Sequence, residues 1–474
     1  MKRSVGIVVD HPERDLGGIV FLATLLVDAG VNVRLYPWNL VSRSRGLLLV
    51  EQSDDLVILN YLRPNNSYLG PILEEAGIPF AVLETEGGVL VSIEKYFEKA
   101  LPKEDWQRVS RYFSWGNELA EGFVERGLID KDRVVVTGSP RMDFYVAPLA
   151  NSLVRQDGQG SDDIILVNGN FTLSNPAFQT PEKEIDMLVN QLGYDRVEME
   201  QMLERCKKAK AEMIRLTIEL AKRYPAREVV FRPHPFENVE SYREIFPDLP
   251  NLSVTREGTV DRWILRSKLL LHRSCSTAVE AALVGVPAVS PQWVVPMGVQ
   301  PTSEACSIPV EDEEALFALA DQIDRDAYTF PGHLPPQEII EDFFFRVDGE
   351  SGRRVAEGVL KFLESSPRNE SMSTSIEDTD PGGGVSLQRN SFRVRCQRFF
   401  GRILSRGHHN EESHVDENEW VEPWSKTAKY FDADAVSKAQ AMIGSAYKDL
   451  TVPEVSNEQA VIGGRVIPFV QLKS

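Results

Sequence analysis

Residues 229–242 read VVFRPHPFENVESY, and residues 269–291 read LLLHRSCSTAVEAALVGVPAVSP. Each is an apolar strand that empties into a polar loop. Val229-Val230-Phe231 ends at Arg232-Pro233-His234-Pro235, and Leu269-Leu270-Leu271 ends at His272-Arg273-Ser274-Cys275-Ser276-Thr277. Beyond Thr277 the pattern turns helical through Ala278, Val279, Ala281, Ala282 and Leu283, until Gly285 stops it before the strand Pro287-Ala288-Val289. Hydroxyl side chains and backbone N–H groups at a helix start just past a strand suit a phosphate anion. Ligands of open α/β sheets gather at the carboxyl ends of strands, where Arg232, His234 and this helix start converge. The stretch reads as a nucleotide-phosphate or nucleotide-sugar site.

The chain on either side has the order that such a site requires. Val5–Val9 is a buried-strand pattern, followed by the loop 10–18 with Gly17 and Gly18 and a helix over Ile19–Ala29. That opening is like a dinucleotide-binding start, although GxGxxG is absent. Strands at Val31–Tyr36, Leu56–Asn60, Phe80–Leu83, Arg111–Trp115 and Val134–Thr137 continue the alternation with helices. The polar run 151–163 is the expected interdomain linker, after which Ile164–Val167 and a long helix over Glu198–Arg223 begin a second α/β unit. The fold class is α/β, with two doubly wound Rossmann-like domains over 1–150 and 164–363. Residues 364–390, rich in Ser, Gly, Pro and acid, are expected to be a disordered linker before a C-terminal extension over 391–474. That extension holds a helix over Ala433–Tyr447 and a strand-like run over Val466–Leu472.

At 474 residues the chain exceeds one ordinary core. Its formal charge of −19 argues against nucleic acid as a partner. The four cysteines are scattered with no CxxC pair, which fits a reducing cytoplasm and speaks against a zinc site or disulfide framework. No apolar run reaches the roughly 18–20 residues that span a bilayer, and the N-terminus lacks a signal-peptide pattern. One segment departs from the acidic average. Phe392–Arg406 carries five arginines and no acid, with Phe392, Cys396, Phe399, Phe400, Ile403 and Leu404 at helical spacing. It suits peripheral contact with an anionic membrane surface at the inner face, and equally docking on the protein's own acidic face or the acidic run 411–422.

Several side chains could carry chemistry. His234, stiffened between two prolines, can donate to a phosphate or protonate a leaving group. Ser274, Ser276 and Thr277 could bind phosphate oxygens, although plain helix caps look the same. Glu280, one turn into the helix, is either a ribose ligand or an exposed helix glutamate. Glu84-Thr85-Glu86-Gly87-Gly88 puts two carboxylates at a strand end, where like charge raises one pKa and suits a general base. Glu86 is preferred over Glu84, because it abuts glycines that imply close backbone approach; solvated loop acids are the alternative. Asn168, Asn170, Arg141 and the run Asn60-Tyr61-Leu62-Arg63 are further cleft candidates. No metal-ligand spacing is present, so no metal and no cofactor are expected.

VTGSPRMD, ILVNGNF, FRPHPFEN, HRSCSTAVEAALVGVP and DGESGRRVA, in this order, resemble bacterial surface carbohydrate (capsule) biosynthesis proteins of the GT-B glycosyltransferase type. The resemblance covers about 1–363 and extends to Kdo-type and sialyl-type transferases and to CDP-glycerol glycerophosphotransferases. It implies two Rossmann-like domains facing a cleft, with acceptor on the first and nucleotide donor on the second. It implies a metal-independent transfer from a nucleotide-activated sugar, CMP-linked in some relatives, to a glycan or lipid-linked acceptor. Carried onto this chain, Glu86-Gly87 would supply the base, and His234-Pro235 with Ser276-Thr277 would hold the phosphate. The alternatives are a CDP-polyol phosphotransferase, a sugar-nucleotide epimerase, or a catalytically inactive scaffold.

Overall fold

The computed structural model describes residues 2–88, 90–98, 100–156, 163–192, 194–367, 430–462 and 465–473. The basic segment 392–406, the acidic run 411–422 and nearly all of the linker 364–390 lie outside them. Fourteen strands form two sheets among the described residues.

The first sheet takes β1 (Ser4–Val9), β2 (Asn32–Pro37), β3 (Leu56–Leu59), β4 (Phe80–Leu83), β5 (Arg111–Ser114) and β6 (Val134–Val136), all parallel, in the order β2-β1-β3-β4-β5-β6. The second takes β7 (Ile164–Asn168), β8 (Val229–Arg232), β9 (Leu252–Val254), β10 (Ser267–Leu271), β11 (Ala288–Pro291) and β12 (Ile308–Val310), also parallel, in the order β12-β11-β10-β7-β8-β9. Each order reverses direction once, between β1 and β3 in the first sheet and between β7 and β10 in the second. These switch points are where crossover helices part to opposite faces and leave a crevice. The fold is therefore the expected one, two Rossmann-like lobes of the GT-B kind.

The first helix spans Pro12–Asp28, beginning seven residues earlier than the glycine pair suggested. Gly17 and Gly18 are helical rather than part of a phosphate loop. A Cβ on Gly18 would lie 2.8 Å from the backbone N of Arg141, so this glycine lets the helix pass close to the loop 139–141. The helix is apolar nearly all round because it is covered on both sides. One side meets the sheet; the other meets helices Ser351–Ser365 and Ala433–Ala446 in the same hydrophobic cluster.

Those two helices place the later chain on the first lobe. Ser351 N and Gly352 N donate to the Asp143 carboxylate at 3.1 and 2.7 Å, which fixes the start of helix Ser351–Ser365. The segment expected to end the second domain thus packs in the first lobe's core through Val355, Val359 and Leu363. The C-terminal extension does the same. Its hairpin, β13 (Glu454–Ile462) and β14 (Arg465–Lys473), joins antiparallel to the β2 edge with Val470 opposite Leu35. Residues 151–156, expected as linker, continue helix Leu149–Gln156, held by buried Leu149 and Leu153. Among the described residues no helix is long and apolar enough to cross a membrane.

Candidate nucleotide cleft and first-lobe pocket

The β7, β8 and β10 ends open on one cleft of about 130 Å³. Asn168 ends β7, Arg232 ends β8, and the loop after β10 delivers Ser276, Thr277 and Glu280 to it. The opposite wall is the first lobe's helix start, with His11, Glu13 and Arg14. The His11 ring stands edge-on to Phe236 of the second lobe, with centroids 5.7 Å apart.

Asn168 Nδ2 donates to Thr277 Oγ1 at 2.9 Å across the switch point, and Thr277 Oγ1 donates to Cys275 Sγ at 3.2 Å. The Thr277 hydroxyl is therefore engaged within the protein, while the residue itself lines the cleft. Asn168 Oδ1 is buried and has no hydrogen-bond partner. Ser274 lies outside the cleft wall. It holds a positive φ of 52°, and its hydroxyl accepts from Gln300 N at 2.7 Å. Asn170 also stands outside the cleft lining, with Nδ2 3.5 Å from Ser274 O. Ser276 occupies the cap position without a side-chain cap bond and does line the cleft.

Arg232 is buried, and its guanidinium donates to the Glu257 and Gly258 carbonyls. Burial pushes its pKa down to about 10, although Glu13 opposite works against that shift. Its first task is to fold loop 255–259 against the β8 end. His234 Nδ1 accepts from Phe236 N at 3.2 Å, so the neutral ring carries its proton on Nε2. Burial, reinforced by Arg14, lowers the His234 pKa to about 4. Near neutral pH this ring is a neutral hydrogen-bond donor, which suits the first of its two expected roles, donation to a phosphate.

Behind both loops lies Glu237, which the sequence reading passed over. Its carboxylate is fully buried and accepts from Phe171 N, from His234 N at 3.0 Å and from the Tyr242 hydroxyl at 3.2 Å. Burial pushes its pKa up to about 7. It ties the loop after β7 to the loop after β8. Burial is a tertiary property, so an acid inside FENVESY gave no sign of this role.

The first lobe has its own small pocket, of about 30 Å³, at the carboxyl ends of β1, β3 and β4. Glu84 and Asn60 line it; Glu86 lines neither this pocket nor the cleft. Glu84 is buried, bonded to Arg63 at 2.8 Å and approached by the Tyr96 hydroxyl at 3.4 Å. Burial raises its pKa despite Arg63. Glu86 is half exposed and clamped by Arg14 at 2.7 Å and Arg63 at 3.4 Å. Burial acts to raise the Glu86 pKa, but Arg14 and Arg63 together outweigh it and hold the carboxyl below its ordinary range. The glycines after it do mark close approach, but by protein. A Cβ on Gly87 would meet the Trp115 ring at 3.0 Å, and one on Gly88 the Phe344 ring at 2.6 Å.

Arg141 lines both cavities. It donates to Glu280 Oε1 at 2.7 Å, joining the first lobe to the second, while its guanidinium stands 5.6 Å from the Trp115 ring centre. Glu280 is fully buried rather than an exposed helix acid, and burial raises its pKa against the pull of Arg141. Its Oε2 has no hydrogen-bond partner.

No protein-family model and no curated protein sequence matches this chain. Solved structures are similar to it at low identity. UDP-GlcNAc 2-epimerase of Methanocaldococcus jannaschii, in complex with UDP-GlcNAc and UDP, aligns over 76% of this chain and 99% of its own at 12% identity and a TM-score of 0.48. UDP-GlcNAc 2-epimerase from Neisseria meningitidis, bound to UDP-GlcNAc, aligns over 76% and 100% at 14% identity and a TM-score of 0.44. A variant of the wall teichoic acid polymerase TagF aligns over 76% and 89% at 11% identity and a TM-score of 0.49.

Proposed function

We propose that this chain is a glycosyltransferase that takes a sugar from a nucleotide-activated donor and passes it to a hydroxyl of a surface-glycan acceptor. The observation that carries the reading is the set of buried acceptors without partners at the second lobe's switch point, Asn168 Oδ1 and Glu280 Oε2. Such atoms cost stability unless a ligand supplies donors, and ribose or sugar hydroxyls are donors of the right kind. His234 Nε2–H and the Ser276 side chain on the same wall serve the phosphates.

The step is a displacement at the anomeric carbon. An acceptor oxygen forms the new C–O bond, the bond to phosphate breaks with its electron pair on the phosphate oxygen, and the acceptor proton passes to a carboxylate. Glu84 suits that last role better than Glu86, because its pKa is raised and it lines the first-lobe pocket. No metal is written into the step; Arg141 and His234 face the departing phosphate. Attachment to an anionic membrane surface through 392–406 is part of the proposal, to be checked by liposome flotation.

Thermal unfolding of the full chain with CMP, CDP, UDP, GDP and ADP tests the reading. A ligand at about 100 times its Kd stabilises by roughly 2.7 kcal/mol, enough to shift the midpoint. A selective shift is expected. CMP would indicate a Kdo- or sialic-acid-type donor and CDP a polyol phosphate. UDP or GDP would indicate a hexose donor or an epimerase. No shift with any nucleotide would overturn the reading in favour of a scaffold.

A further inference from the structure

The β1/β3 switch point of the first lobe holds a second unexplained polar group. Asn60 directly follows β3 and is 2% exposed, yet neither Nδ2 nor Oδ1 has a hydrogen-bond partner in the protein. Its backbone is well fixed, because Thr85 N donates to Asn60 O at 3.0 Å and so sets it beside the Glu84 strand end. The side chain lines the first-lobe pocket together with Glu84, Asp10 and Trp115. A buried amide that bonds nothing is destabilising. A residue that served packing alone would be better as leucine.

An amide edge offers one donor and one acceptor side by side. Its complement is a group with an acceptor and a donor on neighbouring atoms, which is a pair of adjacent hydroxyls. A secondary amide in its ordinary trans form points its N–H and C=O in opposite directions and fits less well. Apolar Val9, Leu59 and Leu83 line the same strand ends, and the Asn60 amide shares the pocket with the polar residues Asp10, Asp15, Glu84, Thr85, Ser139 and Arg141.

We propose that Asn60 is a specificity-determining residue that binds a vicinal diol of the acceptor in the first-lobe pocket, holding one of its hydroxyls toward Glu84. The inference rests on the transferase reading and names its acceptor chemistry: a sugar ring or a polyol with two adjacent free hydroxyls. Arg141, common to both cavities, is the wall across which the oriented hydroxyl meets the donor.

The test uses the full chain, wild type and Asn60→Leu, with saturation-transfer NMR in the presence of whichever nucleotide stabilises it. Methyl mannoside, methyl galactoside and glycerol are the vicinal-diol probes, and 1,3-propanediol is the probe without adjacent hydroxyls. Saturation of at least one diol probe and none of 1,3-propanediol is expected. Asn60→Leu should weaken that binding at least about tenfold while keeping the nucleotide-induced shift and a melting midpoint no lower than wild type. A glycoside response without glycerol identifies a sugar acceptor, and a glycerol response a polyol.

Three results would overturn the proposal: no diol bound by the wild type, unchanged binding by Asn60→Leu, or a lowered midpoint in Asn60→Leu. Any of these with the nucleotide shift intact removes the diol site and leaves the transferase reading standing. Loss of the nucleotide shift in the wild type removes that reading itself, and this proposal with it.

Discussion

Arg141 in the first lobe and Glu280 in the second form a buried ion pair at 2.7 Å, with side chains 15% and 2% exposed. The pair crosses the cleft at the wall shared by both cavities. Removing one partner of a buried pair strands the other charge, at a cost of about 3–5 kcal/mol, whereas replacing both by apolar residues is far milder. Arg141→Met should therefore lower stability by about that amount in urea unfolding, and adding Glu280→Leu should restore much of it. Additive losses in the double variant would show that the two residues do not act as a pair.

The two carboxylates of ETEGG should separate in kinetics. Glu84→Gln removes the proton acceptor and should lower kcat by about 10²–10⁴-fold. Glu86→Gln removes a charge held by Arg14 and Arg63 and should leave kcat within about tenfold. Transfer assays with the donor found from the nucleotide panel decide the matter; the reverse ranking would make Glu86 the base.

Glu237 gives a pH dependence with a definite sign. Its folded pKa of about 7 lies above the ordinary 4.5, so the folded state binds this proton more tightly than the unfolded chain. Its contribution is full below pH 4.5 and is lost as pH rises toward 7. Glu237→Gln should be less stable throughout, because it no longer accepts from Phe171 N, His234 N and Tyr242 together. The wild type's stability relative to that variant should fall between pH 4.5 and 7. A constant difference across that window would refute the assignment.

Two glycines make a paired test of packing. A Cβ on Gly116 would sit 2.1 Å from Asp342 O, against backbone that carries the chain back from the second lobe. Gly116→Ala should cost about 1–3 kcal/mol or more. Gly298 has nothing within 4 Å and no positive φ, so Gly298→Ala should be neutral or stabilising by about 0.4–1 kcal/mol. Equal denaturation midpoints for the two variants would contradict this packing.

A chain ended after Pro367 should be unstable. It would uncover Val33 and Leu35 on the β2 edge and the face of helix Pro12–Asp28 that Val436, Met442 and Ile443 now cover. The stacked pair Phe21 and Tyr447, with ring centroids 5.4 Å apart, would be lost as well. Aggregation or a clearly lower melting midpoint is expected, with faster hydrogen exchange at β2 amides. A truncated chain that melts like the full one would mean that the extension is dispensable.

Much of the second lobe was legible. The strand runs ending at Asn168, Arg232 and Leu271 and the helix after Thr277 follow from local apolar pattern and breakers, and they do converge on one cleft. The functions of individual hydroxyls were not legible. Ser274 and Thr277 sit in the expected stretch, yet partners distant in the chain, Gln300 and Asn168, already occupy their oxygens. The glycine signals were genuine: Gly88 makes room for Phe344, and Gly18 makes room for Arg141 while lining the cleft beside Gly17.

The sequence by itself determined the alternation of strand and helix, and hence two parallel sheets whose strand ends carry the polar loops. Those features depend on neighbours within a few residues, through side-chain periodicity and turn chemistry. Only the tertiary structure decided that Glu237, Glu280 and Asn60 are buried, that Glu84 rather than Glu86 has the raised pKa, and that residues 351–365, 430–462 and 465–473 complete the first lobe. Burial, the pairing of charges and the covering of an apolar helix face are set by groups tens to hundreds of residues away, and desolvation and Coulomb energies follow spatial distance alone.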